Sequence, residues 1–130
     1  MKAFVDANVV VRHLTQDPPD AGQRATAFLA RAGELLVPDL IVAEIVYVLE
    51  SFYRTPRGQI AEAVRSLIGW QPVQVVDDRL LLRALEVYEV AHVDFADAYL
   101  VASAEISGVG LIASFDRDLD RIPTVRRQEP

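Results

Sequence analysis

The chain has 130 residues, 52% of them hydrophobic, a formal net charge of −6 and no cysteine. That length suits one domain that buries roughly two-thirds of its unfolded surface, so residues 1–130 are expected to fold as a single unit. Disulfides, zinc–thiolate sites, iron–sulfur clusters and thiol nucleophiles are excluded, and the acidic balance argues against a broad electrostatic grip on nucleic acid. No run of roughly eighteen charge-free apolar residues suggests a membrane span, and the start Met-Lys-Ala-Phe-Val-Asp lacks the pattern of a secretory signal. Cytoplasmic residence and no membrane partner are the expectation.

In chain order, Ala3 to Val5 reads as a short apolar strand ending at Asp6. A helical segment from Asn8 to Thr15 follows, with Asn8 as a candidate N-cap, and Gln16-Asp-Pro-Pro-Asp20 breaks it. From Asp20, apolar residues at Ala21, Ala25, Phe28, Leu29 and Ala32 mark one helical face that ends at Gly33. Leu35 to Val37 reads as a strand, and Pro38-Asp39 opens a helix to about Tyr53 with Asp39 as its cap. Pro56 starts the next helix, whose face is Ile60, Ala61, Val64, Leu67 and Ile68 and which stops at Gly69.

Val73 to Val76 is read as a strand, and Asp77 caps a helix with Leu81, Ala84, Leu85 and Tyr88 on its core side. Asp94 caps another helix that ends at Gly108, and Leu111 to Ala113 is a further strand. Strands separated by helices imply an α/β fold, with a central, mostly parallel sheet of short strands and helices on both faces. In such folds ligands gather at the carboxyl ends of the strands.

Four acids stand apart: Asp6, Glu44, Asp97 and Asp116 each interrupt or border an apolar stretch that contains no Lys or Arg. A buried carboxylate must be paired, protonated or bound to a cation. Glu44, flanked at helical spacing by Ile41 and Val48, lies on an apolar stripe. Asp6 and Asp116 follow strands, where ordinary turn acids are also common, and Asp97 lies three residues after Asp94, where both would favour the positive end of a helix dipole. If the four converge, carboxylates about 4 Å apart repel by roughly 4 kcal/mol at an effective dielectric near 20. An oxygen-only ligand set then favours magnesium, with manganese as the alternative.

Asp116, Asp118 and Asp120 also alternate like the start of an EF-hand loop, but Arg121 and Arg127 stand where that loop needs glycine and a bidentate glutamate. Twelve of the thirteen basic residues are arginine, which suits bidentate phosphate contacts better than lysine. Arg12, Arg54, Arg57 and Arg117 lie near the acids or on the segments beside them, where solvated surface charge is the competing reading, and none is assigned individually.

Four segments, Phe4-Val-Asp-Ala-Asn8, the helix around Glu44, Asp94-Phe-Ala-Asp-Ala-Tyr-Leu-Val-Ala102 and Ser114-Phe-Asp-Arg-Asp118, occur in the order and spacing of the PIN-domain nucleases. The chain resembles that family over essentially its full length, specifically the VapC-type toxins of toxin–antitoxin pairs. The resemblance implies a three-layer PIN-like fold and a magnesium-dependent endoribonuclease whose acidic cluster is Asp6, Glu44, Asp97 and Asp116. Asp94, Asn8 and Ser114 match accessory positions. It further implies a cognate VapB-type antitoxin, an RNA substrate and a homodimer. On this reading Asp6 and Asp97 are the direct metal ligands, while Glu44 and Asp116 hold metal waters, complete a second site or orient the nucleophile.

Two other readings compete. His13 and His92 could serve as the acid–base pair of a metal-independent ribonuclease. Alternatively, the acids could form a pocket that binds or signals without turnover, although the only lysine, Lys2, is far in sequence from the late strands.

Overall fold

The computed structural model describes residues 1–130 and divides into two units, Met1–Val76 and Asp77–Pro130. The first has the order β1 (Lys2–Phe4), α1 (Ala7–Thr15), α2 (Pro19–Arg31), β2 (Glu34–Leu36), α3 (Asp39–Ser51), α4 (Arg57–Gly69) and β3 (Val73–Gln74). Its strands pair in parallel in the order β1-β2-β3, with Ala3 opposite Leu35 and Leu35 opposite Val73. Each parallel step is made by a pair of helices, since a parallel neighbour cannot be reached by a hairpin.

The second unit runs α5 (Asp78–Ala91), α6 (Phe95–Ser107), β4 (Leu111–Ala113), a 3-10 turn (Arg117–Arg121) and β5 (Arg126–Gln128). Here β4 and β5 pair in parallel, with Ile112 opposite Arg127. The α/β class and parallel pairing are therefore as read from the sequence. The ladders form two sheets, one in each unit, where a single central sheet is the sequence expectation.

The cores follow the predicted periodicities. In the first unit Leu35, Val42, Ile45, Ile60 and Val64 are essentially sealed from water, and in the second Leu81, Ala84, Leu85 and Tyr88 are fully buried on one face of α5. Tyr88 meets Phe95 of α6 edge to face at 6.1 Å. Burying each large apolar side chain contributes roughly 1.5–3 kcal/mol.

Several boundaries shift by a residue for identifiable reasons. β1 and β2 end one residue earlier than expected, yet the Val5 and Val37 N–H groups still donate to Leu36 and Gln74 carbonyls at 3.0 Å. Asp6, not Asn8, caps α1: its Oδ1 accepts from the Ala7 N–H at 2.7 Å. Pro38 and Pro56 occupy the N-cap positions of α3 and α4, so Asp39 is the first helical residue rather than the cap. Asp77 caps α5 as expected, accepting from Leu80 N–H at 3.1 Å. Gly108 ends α6 at φ 79°, a left-handed conformation open to glycine at no steric cost.

Between α1 and α2, Gly22 lies so close to Gln16 that an added Cβ would stand 2.6 Å from the Gln16 Cα. Gly22→Ala is therefore expected to cost about 1–3 kcal/mol through overpacking against backbone, despite alanine's better helix propensity. A denaturant midpoint equal to or above that of the native chain would refute it.

Candidate active site

No charged side chain is buried, which corrects the starting premise drawn from the sequence. Asp6, Glu44, Asp94 and Asp116 are exposed, and only Asp97 is half-buried. Glu44 in particular does not face the core: Ile45 and Val42 fill that side of α3 while Glu44 opens to solvent. Glu44 shares the solvent-facing side of that thirteen-residue helix with Leu40 and Tyr47, which are also exposed, so apolar residue type alone does not mark which side is buried.

The first unit carries Asp6, Asn8 and Glu44. Asp6 follows the last ladder bond of β1 and caps α1, and Asn8 sits one residue inside that helix. Glu44, Asn8 and Arg12 border the same cavity of about 370 Å³. A larger apolar cavity of about 630 Å³, around Leu14, Leu67 and Trp70, contains none of the candidate acids.

The second unit gathers Asp94, Asp97, Asp116 and Asp118 into one electrostatic group. Asp97 lies in the first turn of α6, and its pKa is raised above the ordinary carboxylate value, first by burial and then by the charges of Asp116 and Asp94. A side-chain hydrogen bond with Asp116 and the charge of Asp118 push the same way. Asp94 is the N-cap residue by position, but its carboxylate makes no capping hydrogen bond, so it is not committed to the helix end.

Asp116 is oriented by its own loop. The Ser114 Oγ accepts from the Asp116 N–H at 2.9 Å, and Asp116 Oδ1 accepts from the Asp118 N–H at 2.9 Å. The two later acids are tied to arginines: Asp118 to Arg121 at 2.9 Å, and Asp120 to Arg127 through two bonds of 2.9 and 3.2 Å. The Arg127 hydrogen bond holds the Asp120 carboxyl below its usual range, which leaves nothing resembling a calcium loop.

Arg127 is the residue that sequence reasoning misses. From β5 it donates to the Ser114 carbonyl at 3.0 Å, while the Ser114 N–H donates to Gln128 at 3.0 Å. The polar run Arg-Arg-Gln gives no apolar alternation to mark a strand; its only signal is charge pairing with Asp120 seven residues earlier. His13 engages Thr26 Oγ1 at 2.7 Å, and His92 is the left-handed C-cap of α5, each already serving a local role.

As the side chains stand, no three of them make a metal-ligating group. The donor chemistry still fits a hard divalent cation. The acids around Asp97 offer only oxygen ligands, and each neighbouring carboxylate destabilises the ionised form of Asp97, a penalty that a cation would relieve.

An α/β chain with parallel strands and an acidic group at the start of a helix and the end of a strand is the class these features define. The PIN domain family model matches residues 3–125, and the chain belongs to the PIN-domain family. It is also similar to a VapC ribonuclease from Aquifex aeolicus, at 27% identity over 95 residues, covering 72% of this chain and 70% of that one. The resemblance to VapC-type members agrees with that relative. Among solved structures, VapBC2 from Rickettsia felis, bound to a DNA fragment from their promoter, aligns with 99% of this chain and 98% of its own at 12% identity and a TM-score of 0.40. No helix is long and apolar enough to cross a membrane.

Proposed function

We propose that this chain is a metal-dependent endoribonuclease and the toxin of a type II toxin–antitoxin pair. The observation that carries this reading is the gathering of Asp94, Asp116 and Asp118 around the half-buried Asp97 in a PIN-family chain, where burial first and then those neighbouring charges disfavour its ionised form. Asp6, Glu44, Asp97 and Asp116 are the proposed catalytic set, with Asn8, Asp94 and Ser114 as accessories. Asp6 and Asp97 are the first candidates to hold magnesium, or manganese in its place.

A divalent ion so held would acidify a bound water and offset charge developing on the phosphodiester. The chain's own contribution is placement. Ser114 and the Asp118 N–H fix Asp116, and β5 anchors that loop through Arg127 and Gln128. The Asp6 carboxylate is oriented by the first amide of α1. A cognate VapB-type antitoxin, a homodimer, residence in the cytoplasm and a single functional domain spanning both units complete the proposal, as the family resemblance implies.

Cleavage of single-stranded RNA is expected in Mg²⁺, lost in chelator and restored by Mg²⁺ or Mn²⁺, with 5′-phosphate product ends. Asp6→Asn, which keeps a capping oxygen, should remove the activity while the protein stays folded. Cyclic phosphate ends with chelator-resistant cleavage would overturn the proposal in favour of histidine chemistry. RNA binding without any turnover would favour the non-catalytic acidic pocket.

A further inference from the structure

The cavity beside Glu44 has a composition that the acidic set alone does not explain. It lies at α1, the Asp17–Pro18 turn and the end of α3, and its lining includes Asn8, Arg12, Asp17, Glu44, Phe52 and Tyr53. At about 370 Å³ it falls at the small end of ligand sites, which run from about 300 to 1,000 Å³. That size suits one small ligand rather than a partner's helix.

Arg12 is exposed, and its guanidinium takes part in no ion pair. By contrast Arg83, Arg121 and Arg127 are each committed to carboxylates. In a chain of net charge −6, an arginine left uncommitted at a cavity is a local anion receptor, with a planar fork matched to phosphate.

The same cavity has an aromatic part of its lining, and that part is held in place. Phe52 is 73% exposed, and its N–H donates to the Val48 carbonyl at 3.0 Å. Its ring meets Tyr53 edge to face at 4.9 Å, and the Tyr53 hydroxyl is anchored on Asp17 Oδ2 at 2.9 Å. Single exposed aromatics are ordinary. This one shares a cavity with an uncommitted cation and with the Asn8 amide, which can both donate and accept. These groups answer a nucleotide's phosphate, the π-face of its base and the hydrogen-bonding edge of that base.

We infer that this cavity is a nucleotide subsite for single-stranded RNA, with Arg12 on a backbone phosphate and Phe52 stacked on the adjoining base. The inference rests on the ribonuclease reading, since the subsite adjoins Glu44 of the proposed catalytic set. Glu44 and Asp17 repel an anion, so the phosphate goes to Arg12, and the base is left to the aromatic wall. An unpaired base is required because stacking needs a free face.

The test is fluorescence anisotropy of the full chain with a fluorescein-labelled, mixed-sequence single-stranded RNA in chelator, where no metal-dependent cleavage intervenes. Phe52→Ala is expected to weaken binding about tenfold, and Phe52→Trp to retain it. An oligonucleotide of abasic residues should bind native and Phe52→Ala protein alike. Arg12→Ala should weaken binding and lower the salt slope by about one. Both side chains are exposed, so neither truncation opens the core.

Unchanged affinity in both variants, or no binding by the native chain, overturns the subsite, even if the variants lose a protein partner. Aromatic- and arginine-dependent binding without cleavage in Mg²⁺ leaves the subsite standing and removes the ribonuclease reading. Cleavage with affinity indifferent to both variants does the reverse.

Discussion

Asp97→Asn is expected to reduce RNA cleavage by at least about 100-fold while leaving the protein as stable as the native chain, or more so. Activity and stability move in opposite directions because the same crowding creates both. Burial, then the charges of Asp116 and Asp94, make the ionised Asp97 unfavourable in the folded chain, and the neutral amide removes that penalty with little change of shape.

The sign of the pH dependence follows. A carboxylate whose folded pKa is raised gives its full stabilising contribution below its unfolded pKa and loses it as pH rises through the folded value. In metal-free buffer the native chain should therefore lose stability relative to Asp97→Asn as pH rises above the ordinary carboxylate pKa of about 4. Denaturant midpoints of the two proteins across that rise check it, and parallel profiles would contradict it.

Metal supplies a second readout. A ligand bound only to the folded state stabilises by about 2.7 kcal/mol at roughly a hundredfold excess over its Kd. Mg²⁺ should raise the native melting temperature and do so far less in Asp97→Asn. A folded variant with full activity and an undiminished Mg²⁺ shift would remove Asp97 from the site.

The largest effect on stability is expected from Glu105→Ala, at about 1.5–3 kcal/mol. Arg83 of α5 grips Glu105 of α6 with its Nε and Nη2 at 2.7 and 2.8 Å, a planar two-bond contact. Thr124 donates to the same carboxylate, and Glu86 also pairs with Arg83. Only 16% of the Glu105 side chain is exposed, so its removal leaves a largely sheltered guanidinium short of a partner. The opposite sign from Asp97 applies here. The Arg83 hydrogen bond holds the Glu105 pKa below its ordinary 4.5, so the contribution is present above that value and disappears as pH falls through the folded pKa. Glu105→Gln should flatten the acid limb of the stability profile below about pH 4.5; an unchanged acid limb would show that the pair does not contribute.

Much of the architecture is legible in local chemistry. Period-3.6 apolar spacing locates α2, α4 and α5, and Asp77, Gly108 and the prolines near residues 18, 38 and 56 mark helix ends because capping and proline geometry depend on immediate neighbours. The bounds of β1 and β2 slip by one residue, and β3 stops at Gln74 where a strand to Val76 is the sequence expectation, since so short a strand carries too little pattern to set its own bounds. β5 escapes notice altogether: its residues are polar, and only pairing with β4 makes Arg126–Gln128 a strand.

The sequence by itself determined the α/β class, the family motifs and the identity of the acids, because residue type and order carry that information. Only the tertiary structure decided how each acid stands with respect to water and charge. A helix's apolar periodicity says which stripe is buried but not where an acid on its margin falls, so Glu44 proved exposed. Asp97 owes its raised pKa to burial and to Asp116, nineteen positions away in the chain. Electrostatic coupling of that kind depends on distance in space, which residue order does not encode.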